Sequence, residues 1–373
     1  MKKITLIPFL AISLLAFEQK TTLSLEYISY QNYSDETLLD GMTQISFEKE
    51  NFTTNLSLKY LYSTQYKAKR SLYIDELYIS DEEEDYLIEI GKTIKFWGEL
   101  EGYNIADIYN QKDYLIDPFD KDKKLGSLGG EFRYYFDENY LTFGIKLYEE
   151  DKELPTQDMP YYPFKNFKYN ETLELTKKRT DPTLYLLYNF STQESFDSES
   201  KIILYSGYDS KRDIIPMNTT TVTQYAYRVN KLLFLSHLIY EDYIFKTELS
   251  YTDIVDNKNM HNYAQTTFGV ERGFYDVVGT DVTLYEEYYN YTHTKDVDVA
   301  EIYDNDIFSA IKINFNNPQN SELKMGVLYD IGTDEKIYKA ELSSRLFDTI
   351  VCKAEYLRVT HTDRIKATLS YLF

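Results

Sequence analysis

The sequence has one cysteine, few prolines and glycines, and no long apolar run beyond its first residues. Its 373 residues include only Cys352, so an internal disulfide framework is excluded. No run of 18 apolar residues follows residue 16, which excludes a membrane protein built from helices. The formal charge of −21 argues against nucleic acid as a partner. That charge fits divalent cations at outer loops, cations in a lumen, or simply the solubility of polar loops and turns.

Residue patterns for catalysis or cofactor binding are also lacking. The four histidines occur singly in separate segments without the spacing of metal ligands, at His237, His261, His293 and His361. Ser236 precedes His237, but neighbouring residues of a strand point to opposite faces and cannot form a dyad. No glycine-rich phosphate loop is present. We therefore predict no enzyme, no cofactor, and no catalytic or metal-site residues.

Tyrosine is the residue type in greatest excess. There are 39 tyrosines beside 21 phenylalanines and one tryptophan. Aromatic residues favour strands, and tyrosine suits a membrane interface, where its ring is buried and its hydroxyl stays hydrated. The mean hydropathy of −0.48 does not oppose this, because only alternate residues of a transmembrane strand face lipid.

The N-terminus has the layout of a secretory signal. Lys2 and Lys3 precede a mostly apolar stretch from Ile4 to Leu15, and the small Ala16 follows. That stretch is too short to cross roughly 30 Å of hydrocarbon as a permanent helix. We predict a cleaved signal peptide at 1–16 and an exported β-barrel at 17–373. The alternative is a buried N-terminal strand of a cytosolic protein.

From residue 20 onward, segments of about ten alternating residues are separated by polar turns. In 337–346 the residues alternate between an apolar and a polar face. The apolar face holds Tyr338, Ala340, Leu342 and Leu346, and the polar face holds Lys339, Glu341, Ser343 and Arg345. Inward charges of both signs predict a wet lumen, as in transmembrane barrels. The fold class predicted is all-β, an antiparallel barrel of about 18 strands (range 16–20), at 20–32, 42–50, 52–65, 70–80, 85–95, 128–137, 139–149, 182–192, 200–209, 222–240, 243–253, 261–272, 274–287, 305–316, 320–331, 334–346, 349–361 and 364–373.

Connection lengths support an even strand count. A barrel whose chain starts and ends in the periplasm needs an even number of strands, with short turns at that end and longer loops outside. Keeping 222–240 as one strand puts all short turns at one end, at Glu50-Asn51, Phe136–Asn139, Glu241-Asp242 and Gly273. The long connections then lie outside, at 96–127, 150–181, 210–221 and 288–304.

The last strand places Leu369, Tyr371 and Phe373 on one face. A terminal phenylalanine with these partners resembles the signal read by the outer-membrane barrel assembly machinery. It implies a Gram-negative outer-membrane location, with lipid and lipopolysaccharide as surroundings.

The connection 96–127, after the fifth strand, carries the most informative motif. Its residues are Trp97, Gly98, Gly102, Asn104, Asp107, Asn110 and Asp113. This resembles the pattern W-G-x-x-D-G-x-N-x-x-D-x-x-N-P-x-D of a group of porin-like outer-membrane barrels, with Glu101 and Gln111 replacing the usual acid and proline. In general porins the loop after the fifth strand enters the lumen and sets the constriction. The resemblance implies a channel, with lipids or other apolar compounds as alternative cargo.

The pore-constriction candidates are Trp97, Gly98, Asn104, Asp107 and Asp113. Trp97 and Gly98 are expected to anchor the inserted loop. The three-residue spacing of Asn104, Asp107, Asn110 and Asp113 predicts one side of a short helical turn, with Asp107 and Asp113 lining the constriction. The alternative is an external loop whose acids and bases pair with each other or with water.

The second long loop, 150–181, contains the proline- and aromatic-rich segment 159–164 and the basic triplet 177–179. The segment 159–164 would cap the pore or touch a hydrophobic solute, and the triplet 177–179 would contact lipopolysaccharide phosphates. The alternative for each is an ordinary folded surface loop. The predicted function is passive diffusion of small solutes, with a conduit for hydrophobic compounds and a plugged structural barrel as alternatives. The oligomeric state stays open.

Overall fold

The computed structural model describes residues 17–164, 166–192, 196–296, 303–359 and 362–373. Within them the chain is all-β, apart from two single 3-10 turns at Lys67–Lys69 and Thr294–Asp296. The described part of the chain contains no helix long and apolar enough to span a bilayer. The predicted signal peptide at 1–16 lies outside the described residues.

Eighteen strands form one closed antiparallel barrel, which confirms the predicted fold class and strand number. Consecutive barrel strands are paired, and the first also pairs with the last, for example at Leu25 and Leu369. The barrel strands are β1 (Phe17–Tyr30), β2 (Glu36–Lys49), β3 (Phe52–Ser63), β4 (Arg70–Glu82), β5 (Tyr86–Thr93), β6 (Ser127–Phe136), β7 (Asn139–Lys146), β9 (Thr183–Thr192), β10 (Asp197–Tyr208), β13 (Arg228–Tyr240), β14 (Tyr243–Ile254), β15 (Tyr263–Val277), β16 (Thr280–Tyr291), β17 (Asn305–Asn314), β18 (Glu322–Asp330), β19 (Lys336–Phe347), β20 (Ile350–Val359) and β21 (Thr362–Leu372).

The alternation of side chains decides which face of each strand is outside. In β14, Phe245, Leu249 and Tyr251 are exposed, whereas Glu248 and Thr252 are fully buried. Because the period of a strand is two, one face is apolar and outward and the other is polar and inward. An exposed apolar face on every side of a closed barrel suits lipid as the surrounding solvent.

The two ends of the barrel differ as the turn lengths predict. The short-turn end carries Glu50-Asn51, Asp137-Glu138 and Glu241-Asp242 between paired strands, as expected. The predicted turn at Gly273 is wrong, because Gly273 lies within β15 and the chain reverses at Val278-Gly279. Gly279 has φ 80°, a left-handed conformation that glycine adopts without strain. The aromatic, β-favouring residues around Phe274 extend the strand past Gly273 through a bulge.

A second, three-stranded sheet lies at the opposite end, called here the long-loop end. It contains β8 (Lys168–Leu175), β11 (Asp213–Pro216) and β12 (Thr221–Ala226), with β8 and β12 parallel. The predicted strand 222–240 is therefore two strands, since β12 joins this sheet and only β13 enters the barrel. The connection after β10 is correspondingly 209–227 rather than 210–221. The even count survives because β8, β11 and β12 all lie within connections at this end.

One side of the barrel interior is apolar, whereas the opposite side is polar. Next to β9, β10 and β13 an apolar cluster fills the lumen, formed by Trp97, Ala106, Ile108, Tyr109, Tyr185, Leu187, Ile203, Tyr205, Tyr227, Val229, Leu233 and Leu235. The polar inner face that indicates a wet lumen is therefore interrupted on this side. These inward positions are apolar because the chain between β5 and β6 packs against them.

Candidate functional site: a charged passage beside an inserted loop

The connection between β5 and β6, residues 94–126, lies inside the barrel and is called the insert. Its main chain is bound by carboxylates of the facing wall. Glu248 of β14 accepts hydrogen bonds from the backbone N–H groups of Glu99 (2.8 Å) and Ala106 (3.0 Å). Glu287 of β16 accepts those of Glu101 (2.6 Å) and Gly102 (2.9 Å). These four hydrogen bonds hold the insert across the lumen.

The polar residues of the motif brace the insert internally. Asn104 Oδ1 accepts a hydrogen bond from the backbone N–H of Leu100 at 2.7 Å, and Asn110 Oδ1 accepts that of Lys95 at 2.7 Å. Asp107 Oδ1 lies 3.4 Å from the backbone nitrogen of Trp97. The three side chains thus join the outgoing run 95–100 to the returning run 104–110. The predicted helical turn is wrong, because the three residues lie on a segment that folds back on itself and not on a helix.

The two motif glycines lie where chain segments meet closely. A Cβ on Gly98 would lie 2.3 Å from Cγ of Asn104, and one on Gly102 would lie 2.9 Å from the Glu287 carboxylate. Only glycine allows these approaches without displacing the partner. The insert can therefore fold back on itself at Gly98 and reach the wall at Gly102.

Trp97 is buried between the insert and the wall. Its ring centroid lies 4.9 Å from that of Tyr185 on β9 and 5.7 Å from that of Tyr109 in the insert. Aromatic pairs in edge-on geometry stabilise beyond their buried area. The structure thus places Trp97 and Gly98 where the insert is attached, away from open space.

Asp107 and Asp113 do not line the cavity that lies between the insert and the wall of β1, β2 and β17–β21. Asp107 is 7% exposed and pairs with Lys124 at 2.5 Å, while Asp113 is 5% exposed and accepts the backbone N–H of Ile116 at 3.2 Å. Burial raises the pKa of both carboxyls, and Lys124 only partly opposes this at Asp107. Their expected role in lining the constriction is corrected, because both side chains are buried in contacts within the insert. Asn104, 3% exposed, is likewise internal.

A cavity, called here the passage, lies between the insert and the wall made by β1, β2 and β17–β21. It encloses about 480 Å³. Nine acidic and seven basic side chains line it: Glu26, Asp40, Glu101, Asp117, Asp120, Asp122, Glu322, Glu341 and Glu355, and Lys121, Lys123, Lys324, Lys339, Lys353, Arg364 and Lys366. The passage is thus polar and off-centre, opposite the apolar cluster.

Ion pairs connect the insert to the passage wall. Asp117 lies 3.0 Å from Arg364 and 3.4 Å from Lys366, both on β21, and Arg364 also pairs with Glu355 of β20. Burial alone would raise the pKa of Asp117, but Arg364 and Lys366 outweigh it and hold that pKa below its ordinary value. The insert is therefore attached on this side by charge.

On the other side, Glu99 lies between two basic groups of the wall. Its carboxylate is 2.9 Å from Lys201 of β10 and 2.8 Å from Nδ1 of His237 of β13. Burial opposes its ionisation, yet the hydrogen bond with His237 and the charge of Lys201 bring the pKa of Glu99 below its ordinary value. Ser236 instead bonds Ser200 at 2.9 Å, so Ser236 and His237 have different partners.

The connection between β7 and β9 covers the insert at the long-loop end. Leu154 and Phe164 pack with Tyr114 of the insert and Val222 of β12. Tyr161 packs edge-on against Phe119 of the insert, with centroids 4.9 Å apart. In the basic triplet, Arg179 binds Asp151 at 2.7 Å, while Lys177 and Lys178 are exposed. The proline- and aromatic-rich segment thus packs on the insert.

Sequence reasoning missed the wall residues that hold the insert, above all Glu248, Glu287 and Arg364. Each is a charged residue on the inward face of an alternating strand, and that pattern identifies its face. The pattern does not identify its partner, since Glu248 and Glu99 are far apart in the chain and meet only across the closed barrel.

No protein-family model matches the sequence, and no curated protein sequence matches it. Solved structures of outer-membrane porins do resemble it. OccK8 (OprE) of Pseudomonas aeruginosa superposes with a TM-score of 0.55 at 8% identity over 96% of this chain and 98% of that chain. P. aeruginosa OccK2 (OpdF) in complex with glucuronate gives 0.57 at 11% identity over 96% of each chain. P. aeruginosa OpdK with vanillate gives 0.55 at 8% identity over 96% and 98%. The likeness establishes a shared barrel fold over nearly the whole chain.

Proposed function

We propose that the protein is an outer-membrane channel through which small polar solutes diffuse passively. The single observation that carries this is the charged passage of about 480 Å³ between the insert and the wall. A space of that size, lined by ionised groups, admits hydrated ions and small organic molecules. The insert, held on both sides by carboxylates and ion pairs, would set its width.

The charged lining argues against a conduit for lipids. An apolar solute would have to pass between Lys339, Lys353 and Lys366 on one side and Asp120 and Asp122 on the other. Such a solute gains nothing from groups that stay hydrated. Each of the eighteen strands is also paired with both of its neighbours in the barrel.

The solutes we propose carry charge themselves. OccK2 and OpdK, which share the fold, were solved with glucuronate and vanillate. In this chain the passage presents both signs, with Lys339, Lys353 and Lys366 on the wall and acids on the insert. Small ionic solutes would exchange water for these groups with little loss, whereas neutral apolar ones would not.

Recording single channels in planar bilayers tests this function against a plugged barrel. We expect steady conductance from the purified chain, and a marked reduction from Thr368→Trp, which places a large ring in the passage. Ala367→Trp is the matched control, since Ala367 is the exposed neighbour on the outward face of β21. Absence of conductance in the unaltered protein, or equal conductance in both variants, would overturn the proposal.

The proposed function places the protein in the outer membrane, with lipopolysaccharide and the barrel assembly machinery as further partners. The exposed apolar faces and the terminal Leu369, Tyr371 and Phe373 support insertion by the barrel assembly machinery into a membrane containing lipopolysaccharide. The last residue exchanges backbone hydrogen bonds with Thr21 at 2.8 and 3.0 Å, so the final strand completes the barrel. Fractionation of cells expressing the chain with and without Phe373 tests it, because loss of that residue should reduce the folded outer-membrane fraction.

A further inference from the structure

Three aspartates converge at the long-loop end of the barrel, next to the insert. Asp304 precedes β17, Asp306 lies at its start and Asp330 ends β18; they are called the aspartate triad. One carboxylate oxygen from each lies within 4.8 Å of the others. Asp306 and Asp330 are direct partners across the two strands. Like charges placed opposite each other destabilise a sheet, so a compensating group is expected.

Asp306 itself lacks part of its expected hydrogen bonding. Its side chain is 1% exposed, and its Oδ1 atom is buried without any hydrogen-bond partner. The other oxygen, Oδ2, accepts the backbone N–H groups of Asp304 at 2.7 Å and Asn305 at 3.0 Å. A buried carboxylate oxygen with no partner is costly, and a bound cation is one way to satisfy it.

The triad also differs from the passage carboxylates in having no positive partner. Among the described residues, no lysine, arginine or histidine forms an ion pair with Asp304, Asp306 or Asp330, whereas Asp117 and Glu355 have two or more each. Three acids without a basic partner, one of them buried, form a strongly negative centre.

Backbone groups already orient the triad. Asp330 Oδ1 accepts the N–H groups of Gly332 at 2.6 Å and Thr333 at 3.0 Å, and its Oδ2 accepts the Thr333 hydroxyl at 2.6 Å. Together with the bonds to Asp306, these fix two carboxylates in place before any ligand arrives. Ordered oxygen ligands of this type are what hard cations select.

We propose that the aspartate triad binds one divalent cation of the calcium type. Three carboxylates supply part of the six to eight oxygens that Ca²⁺ takes, and water and backbone carbonyls would supply the others. The flexible geometry of Ca²⁺ suits this irregular site better than the octahedron that Mg²⁺ requires.

Such a cation would also hold the tip of the insert. Tyr303, next to Asp304, stacks on Tyr103 of the insert with centroids 4.8 Å apart, and its hydroxyl lies 3.4 Å from the carbonyl oxygen of Gly102. Binding at the triad would therefore fix the segment against which the insert packs. It would reduce motion of the insert at the edge of the passage.

The test is calcium binding to the full chain, folded in detergent without lipopolysaccharide and stripped with a chelator. Isothermal titration with CaCl₂ should show one site, with a dissociation constant of roughly 10⁻⁴–10⁻³ M as in extracellular calcium modules. Asp306→Asn should weaken it at least about tenfold by removing one charge and the buried ligand. Asp334→Asn is the matched control, an aspartate of the same loop outside the triad, and should leave binding unchanged.

Thermal unfolding separates this site from a merely structural carboxylate. Without calcium, Asp306→Asn should unfold at the same or a higher temperature than the unaltered protein, because it relieves repulsion. Calcium should raise the midpoint of the unaltered protein and of Asp334→Asn, but not that of Asp306→Asn. Asp330→Asn replaces Asp306→Asn if the latter does not fold. Equal calcium binding by the unaltered protein and the triad variants, or binding of Mg²⁺ as tight as that of Ca²⁺, would overturn the proposal.

Discussion

Removing two acids from the passage should abolish a preference for cations. The passage has nine acidic and seven basic side chains, and the excess of two comes from acids such as Asp122 and Glu322, which form no ion pair with a described residue. The double variant Asp122→Asn, Glu322→Gln brings the two signs to equal number. Both replacements keep the shape of the side chain.

The size of the effect follows from Coulomb's law. A unit charge about 6 Å from a passing ion contributes about 0.7 kcal/mol in water, and about 0.4 kcal/mol after screening at 0.1 M salt. This interaction energy has opposite signs for cations and anions, so removing two charges changes the relative permeability of cations and anions by about tenfold. In 1 M salt, where the Debye length is about 3 Å, most of this difference should disappear.

The assay is the reversal potential across a planar bilayer under a tenfold KCl gradient. The unaltered channel should show a potential of cation-selective sign, and the double variant a value near zero. Glu138→Gln, an exposed acid in a turn of the short-turn end, is the control and should behave as the unaltered channel. An unchanged reversal potential in the double variant at 0.1 M salt would refute the assignment of the passage.

Three further predictions concern attachment of the insert. Glu248→Gln should make the insert more accessible to protease and the open channel noisier, because the two backbone N–H groups bind different oxygens of Glu248 and an amide keeps only one of these oxygens. Asp107→Asn leaves Lys124 buried without its counter-charge and should cost about 3–5 kcal/mol in urea unfolding, partly restored by adding Lys124→Met. The lowered pKa values of Glu99 and Glu101 mean that their charges contribute fully to the attachment above pH 4.5 and are lost as pH falls through those lowered values, so channel noise should rise in that acidic range.

Much of the fold follows from local patterns in the sequence. The alternation of apolar and polar residues determines which side chains of β14 face lipid, since the strand period is two whatever the partner strand. Turn lengths determine the even number of barrel strands, and so the end at which long loops lie. The motif around Trp97 and Gly98 predicts an inserted loop, and the backbone of the insert indeed crosses the lumen.

Tertiary structure decided what each charged residue contacts. Asp107 and Asp117 are both acids of the same insert, and nothing in the local sequence distinguishes them. Asp107 folds inward onto Lys124, whereas Asp117 faces Arg364 of the last strand and borders the passage. Likewise, β12 and β13 continue one alternating pattern, but only pairing with β8 and β11 draws β12 out of the barrel. The contact of Asp117 with Arg364 joins residues far apart in the chain, and its energy depends on a distance that only the closed barrel sets.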